Sequence, residues 1–145
     1  MKIDWTHIII HHSLTEDSKT VSWDAIRKYH IENQGWADIG YHFGIEMGPN
    51  GKYMIIGGRP LNRVGAHCKE EHMNSVGIGF CFVGNFDIIT PPTPLLVEGG
   101  KYIKGLMDEF GIIPANVRGH RDYATYKSCP GNKFDMSIFR DMLKG

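Results

Sequence analysis

The run VGIGFCFV, residues 76–83, reads as a strand whose two faces differ sharply. Val76, Ile78, Phe80 and Phe82 fall on one face, while Gly77, Gly79 and Cys81 fall on the other. Such a strand packs large apolar groups on one side and lets a neighbour approach its backbone on the other. Working outward, Trp5 to His11 is a second apolar run, read as a buried strand that ends in the pair His11-His12. Tyr41, Phe43, Ile45 and Met47 alternate with His42, Gly44 and Glu46, which predicts a third strand. The turn Pro49-Asn50-Gly51 leads from it into Lys52 to Ile56, so these two strands form a hairpin. Val117 opens a further short strand.

Helical patterns separate these strands. In VSWDAIRKYHIENQG, residues 21–35, Ser22 is placed to cap a helix, and Val21 and Ile26 have the spacing of a hydrophobic staple. Trp23, Ile26 and His30 share one face, and Gly35 supplies the stop. Thr93-Pro94 opens a longer helix with Leu96, Ile103, Met107 and Phe110 on a stripe. Gly99 and Gly100 weaken it by roughly 1 kcal/mol each relative to alanine, so packing must sustain it. Asp135 caps a last helix bearing Ile138, Phe139 and Met142. Strands interleaved with helices predict an α/β fold: one domain over residues 1–145, with a mixed central sheet flanked by helices.

Composition removes several function classes. A chain of 145 residues can bury a core without disulfides. Sixteen lysines and arginines balance sixteen aspartates and glutamates, so nothing pulls the protein towards nucleic acid or an anionic membrane. The run Ile8-Ile9-Ile10 is too short for a signal-peptide core or a membrane span, and synthesis in the cytoplasm without an export signal is the expectation. Cys68, Cys81 and Cys129 cannot all pair within the chain, which favours a reducing compartment or thiols kept for another purpose. NFDIITPPTP, residues 85–94, reads as a connection inside the domain rather than a boundary.

The chemistry concentrates in GHRDYATYKSCPG, residues 119–131, which holds His120, Lys127 and Cys129 in one loop at the end of a predicted strand. Histidine and cysteine are zinc ligands, and His11 and His12 close another strand from which a third ligand can come. Two histidines and one cysteine leave a fourth position open, the arrangement of a catalytic rather than a structural site. A rival grouping, His67, Cys68 and His72 in GAHCKEEHM, lacks a ligand spacing and reads better as a loop lining a cleft. Cys81, between Phe80 and Phe82, reads as a small core residue. His12 reads as a supporting or packing residue, and His42, on the opposite strand face from Tyr41, as core.

Four motifs then stand in order: IIIHHS at 8–13, GWADIGYHF at 35–43, GAHCKEEHMNSVGIGFCFVG at 65–84, and the 119–131 loop. Together, from His7 to about Asp135, they resemble the zinc-dependent N-acetylmuramoyl-L-alanine amidases, a family that includes phage lysozyme-type amidases and peptidoglycan recognition proteins. The resemblance implies one Zn²⁺ per chain, held by His11, His120 and Cys129 in a surface cleft at the strand ends. It implies Tyr41 and Lys127 as catalytic residues, and it makes peptidoglycan, glycan strand plus stem peptide, the partner. His67, Asn74 and Ser75 are expected to line the groove for that polymer. The implied reaction is hydrolysis of the amide between N-acetylmuramic acid and L-alanine, in a phage or prophage endolysin that reaches the wall after release. A non-catalytic wall-binding module and a cytoplasmic amidase recycling wall fragments are the alternatives.

The chemistry gives each implied role a reason. Zinc lowers the pKa of water it binds from about 15.7 towards 7. A thiolate ligand donates more charge than an imidazole and makes the metal a weaker Lewis acid, so extra oxyanion donors are useful. The Lys127 ammonium and the Tyr41 hydroxyl are of that type, and either can transfer the proton.

Overall fold

The computed structural model describes residues 2–14 and 23–145. The Ser22 cap and the Val21 half of the staple lie outside the described residues. The strands are β1 (His7–His12), β2 (Phe43–Met47), β3 (Tyr53–Gly57), β4 (Gly77–Phe82) and β5 (Val117–Gly119). The helices are α1 (Trp23–Glu32), α2 (Met73–Val76), α3 (Thr93–Phe110) and α4 (Met136–Met142). The five strands form one mixed sheet in the order β3-β2-β4-β1-β5. β1 is parallel to both β4 and β5, and β2 is parallel to β4. Among the described residues only the β2–β3 hairpin is antiparallel. Its turn is closed by the Gly48 amide donating to the Lys52 carbonyl at 2.7 Å. The predicted mixed sheet flanked by helices is the fold observed.

Pleating divides β1 and β4 as their sequences dictate. Ile8, Ile10, Ile78, Phe80 and Phe82 enter one large core with Ile103 and Leu106 of α3 and Phe139 of α4. On the opposite face, Cys81 joins Trp23, Ile26, Ile39 and Val83 under α1, while Ile9 packs with Cys68 and Met73. The glycines flagged in the sequence mark close approaches on both sides. A Cβ on Gly79 would stand 2.6 Å from the His67 ring, and one on Gly99 would stand 2.5 Å from the Phe82 ring. The helix-weakening Gly99 is therefore what lets α3 settle onto the sheet.

Three local expectations shift. Val76 ends α2 rather than opening the strand, because the Gly77 amide still bonds back to the Met73 carbonyl. Tyr41 precedes the first ladder pairs, Phe43 with Gly57 and with Phe80, so it is free of the alternation. Its ring packs beside Trp23, in the cluster on the face opposite Ile45. In α4 the buried residues are Met136 and Phe139, continued by Leu143, whereas Ile138 is 58% exposed. Asp135 does cap this helix, accepting from the Ile138 amide at 3.0 Å, and Ile138 lies off the stripe of Met136, Phe139 and Leu143 that faces the core.

Candidate active site

The parallel strands β1, β4 and β5 run the same way, and ligands of such sheets bind beyond the carboxyl ends of the strands. There β1 delivers His11 and His12, and the turn after β5 delivers His120. The Cys129 loop is tied onto that exit by Arg121. Its backbone amide donates to the Cys129 carbonyl at 2.8 Å. Its guanidinium donates to the carbonyls of Ser128, Gly131 and Phe134 at 3.2, 2.6 and 2.7 Å. Asp87 holds the far side, accepting from the Ser128 hydroxyl at 3.0 Å and the Asn132 amide at 2.8 Å. Neither Arg121 nor Asp87 was singled out from the sequence. An arginine beside a histidine in a Gly/Pro-rich loop was the available signal for Arg121, since a guanidinium can satisfy several stray carbonyls at once.

The result brings together residues from positions 11, 120 and 129. Their donor atoms all lie within 4.8 Å of one another, and all three residues are buried. His11 Nδ1 is 3.6 Å from Cys129 Sγ, and the His12 amide donates to the same sulfur at 3.4 Å. Tetrahedral zinc with bonds of about 2.3 Å to sulfur and 2.0–2.1 Å to nitrogen has an S···N edge of about 3.6 Å. The donor set fits that ion in chemistry and in this spacing. Burial drives the His11 pKa well below its ordinary value, with smaller pushes from His67, His120 and Lys127. Burial and then the Lys127 charge lower that of His120. Both imidazoles are thus neutral near pH 7, as ligands must be. Burial pushes the Cys129 thiol up to about 12, and coordination to a divalent cation is what would release its proton.

The rival grouping from GAHCKEEHM splits up. His72 is exposed, while Cys68 and Glu70 come within 4.8 Å of His120 to form a second possible donor set. Glu70 is already engaged: the Tyr126 hydroxyl donates to it at 2.7 Å, and His120 Nε2 stands 3.6 Å from its carboxylate. Burial and the Glu70 charge push the Cys68 thiol up to about 12. Glu70 and Tyr126 also escaped sequence reasoning, because only the fold sets them side by side.

The donors sit in a cleft of about 600 Å³ whose lining includes Tyr41, His67, Lys127, Tyr29, Trp36 and Tyr126. The Tyr41 and His11 ring centroids are 5.0 Å apart. Burial, followed by the neighbouring Cys81 and Cys129, raises the Tyr41 pKa well above 10, so its hydroxyl stays protonated. Lys127 is exposed on the rim. The structure brings His67 into the cleft but not Asn74 or Ser75. Asn74 turns its amide inward, its Oδ1 accepting from the backbone amides of His67 and Cys68 at 2.7 Å each, and Ser75 is exposed on α2. His12 accepts the Phe86 amide on Nδ1 at 3.1 Å, while His42 packs edge-on to Trp5 in the interior. The three cysteines are free and buried, and Cys81 lies in the core. Among the described residues no helix is long and apolar enough to cross a membrane.

The chain is similar to known proteins in sequence and in fold. The family model for N-acetylmuramoyl-L-alanine amidase matches residues 1–132. The endolysin of Escherichia phage T7 is 40% identical over 135 residues, covering 89% of this chain and 81% of that protein. Among solved structures, the endolysin N-acetylmuramoyl-L-alanine amidase LysCS from Clostridium intestinale superposes with a TM-score of 0.83 at 26% identity, covering 98% of this chain and 85% of that one. A variant of Drosophila PGRP-LB in complex with tracheal cytotoxin gives a TM-score of 0.73 at 27% identity, covering 95% of this chain and 83% of that one. With a buried His-His-Cys cluster at the strand ends and a family match over nearly its whole length, the chain belongs to the N-acetylmuramoyl-L-alanine amidase family.

Proposed function

We propose that the protein is a zinc-dependent endolysin that hydrolyses the amide between the lactyl group of N-acetylmuramic acid and L-alanine in peptidoglycan. The observation that carries this reading is the convergence of His11, His120 and Cys129, with a 3.6 Å His11–Cys129 separation, inside a cleft that also holds Tyr41 and Lys127. These three would hold one Zn²⁺, which when bound supplies Lewis acidity and acidifies water towards neutral pH. The phage relatives support a role on the cell wall after release from the cytoplasm.

The remaining chemistry belongs to the chain's own side chains. As the scissile carbonyl becomes tetrahedral, negative charge grows on its oxygen. The Tyr41 hydroxyl, kept protonated by burial, is a preorganised hydrogen-bond donor for that charge. The Lys127 ammonium adds positive charge at the rim and, being exposed, can hand a proton from Nζ to the departing L-alanine amine and recover it from solvent. Tyr29 and Tyr126, 52% and 70% exposed, offer apolar ring faces to sugar or peptide. The stem peptide leaves with a free α-amino group, and the glycan keeps an intact lactyl carboxylate.

Mass spectrometry of purified peptidoglycan after digestion tests this reading. The expected products are stem peptides beginning with free L-alanine, formed by the zinc-loaded protein and suppressed by chelator. Binding without release of such peptides would make the protein a wall-binding module instead. Cleavage at a different bond would also refute the assignment.

A further inference from the structure

His67 is buried between two partners that together dictate where its proton sits. The Gly77 carbonyl can only accept, so His67 Nε2, 2.9 Å away, carries the hydrogen. The ring is buried with the His11 and His42 rings against it, and with its single hydrogen on Nε2 the neutral ring bears a lone pair on Nδ1. That lone pair faces His11 Nε2 at 2.9 Å, which must then be the donor. With its proton committed to Nε2, His11 has its lone pair on Nδ1, the nitrogen 3.6 Å from Cys129 Sγ.

We propose that His67 is a positioning residue, rather than a contact for the wall polymer: it locks His11 in the tautomer and orientation that present Nδ1 to the metal. The relay runs from the Gly77 carbonyl through His67 to His11, so a backbone atom at the start of β4 sets the protonation pattern of a ligand at the end of β1. Both ring nitrogens of His67 are used, which leaves no polar atom of this side chain for substrate.

The segment around it is built to hold the ring still. The Asn74 side chain accepts from the His67 and Cys68 amides, and the Ala66 amide donates to the Gly40 carbonyl at 3.0 Å. The ring lies against Gly79, where any Cβ would collide with it, and stands edge-on to the His11 ring at 5.0 Å and 88°. The sequence features left unexplained by catalysis, Gly79 and Asn74, both serve this placement.

The inference rests on the zinc reading above, and its test separates the two. Zinc affinity is measured by competition with a chromophoric chelator on the intact wild-type, His67→Phe and His67→Gln proteins. Glutamine can donate to Gly77 and accept from His11, whereas phenylalanine fills the space with no acceptor. The expected result is one tightly held zinc in the wild type, affinity lower by about 10–100-fold in H67F, and most of it recovered in H67Q. An H67F protein that binds zinc within about twofold of wild type overturns the positioning role. A wild type that takes up no zinc overturns the zinc reading and this one together. Should H67F fail to fold, long-range ¹H–¹⁵N correlation spectra of the wild type decide: His11 protonated on Nε2 supports the relay, and His11 protonated on Nδ1 refutes it.

Discussion

The two faces of the sheet are made by the same strands and do different work. On the α3–α4 face, β1 and β4 contribute Ile8, Ile10, Ile78, Phe80 and Phe82 to a continuous apolar core. On the other face the same strands contribute Ile9, His11, Gly77, Gly79 and Cys81, and the buried rings of His67 and His120 stand against His11. Buried imidazoles cost desolvation unless each nitrogen finds a partner. The first face therefore stores stability, and the second spends some of it to hold reactive donors apart from water. Substitutions on the two faces should separate accordingly.

The largest expected effect on the reactive face is Cys129→Ser, which should abolish zinc retention and amidase activity while leaving the far-UV circular dichroism of the protein unchanged. Its counterpart on the packed face is Phe139→Ala, fully buried against Phe82 and Phe134, which should lower stability by about 3–5 kcal/mol in denaturant titration. The folded fraction of that variant should retain its zinc affinity. If C129S unfolds the protein, or F139A selectively strips the metal, the division of labour is wrong.

Tyr41→Phe removes only a hydroxyl. Loss of one preorganised oxyanion donor should lower kcat by roughly 10²–10³-fold with zinc content unchanged. Lys127→Met should lower it less, by about tenfold, because an exposed charge is screened by solvent and salt. Equal effects of the two in steady-state assays would remove the distinction between a buried and a rim donor. Gly79→Ala joins the faces: its methyl must displace the His67 ring, so it should cost about 1–3 kcal/mol of stability and also weaken zinc binding. Stability lost without any change in zinc affinity would show that the ring's placement does not matter to the metal.

The smallest effect is on pH dependence. Burial lowers the His12 pKa to about 4 from an ordinary 6.5. Between those values the unfolded chain binds the proton and the folded one does not, so stability rises with pH in that window. The contribution is complete above about 6.5 and is lost as pH falls towards 4. Thermal melts of zinc-depleted protein should show Tm declining through that range, and a flat profile would contradict it.

How much of this was legible in the sequence differs by level. The division of β4 into a bulky and a small face could be read directly, because pleating maps alternate residues to opposite sides. The candidate ligands were legible because histidines and a cysteine stood at predicted strand ends and within motifs of known order. Tyr41 kept its place in the cleft although its strand assignment shifted, since motif position does not depend on pleat register. What could not be read was whatever depends on side chains meeting across the fold. Asn74 and Ser75, expected in the groove, lie outside the cleft lining, because α2 turns Asn74 towards the backbone of its own loop. The guanidinium of Arg121 reaching three carbonyls, and Glu70 between His120 and Tyr126, need coordinates.

X-ray absorption at the zinc edge of the metal-loaded wild-type protein would examine the metal environment without relying on turnover. We predict one sulfur at about 2.3 Å, two imidazole nitrogens at about 2.0–2.1 Å and one light oxygen or nitrogen scatterer, with the sulfur shell gone in C129S. A wild-type spectrum with no sulfur shell, or with a shell of oxygen scatterers alone, would contradict the proposed coordination by His11, His120 and Cys129.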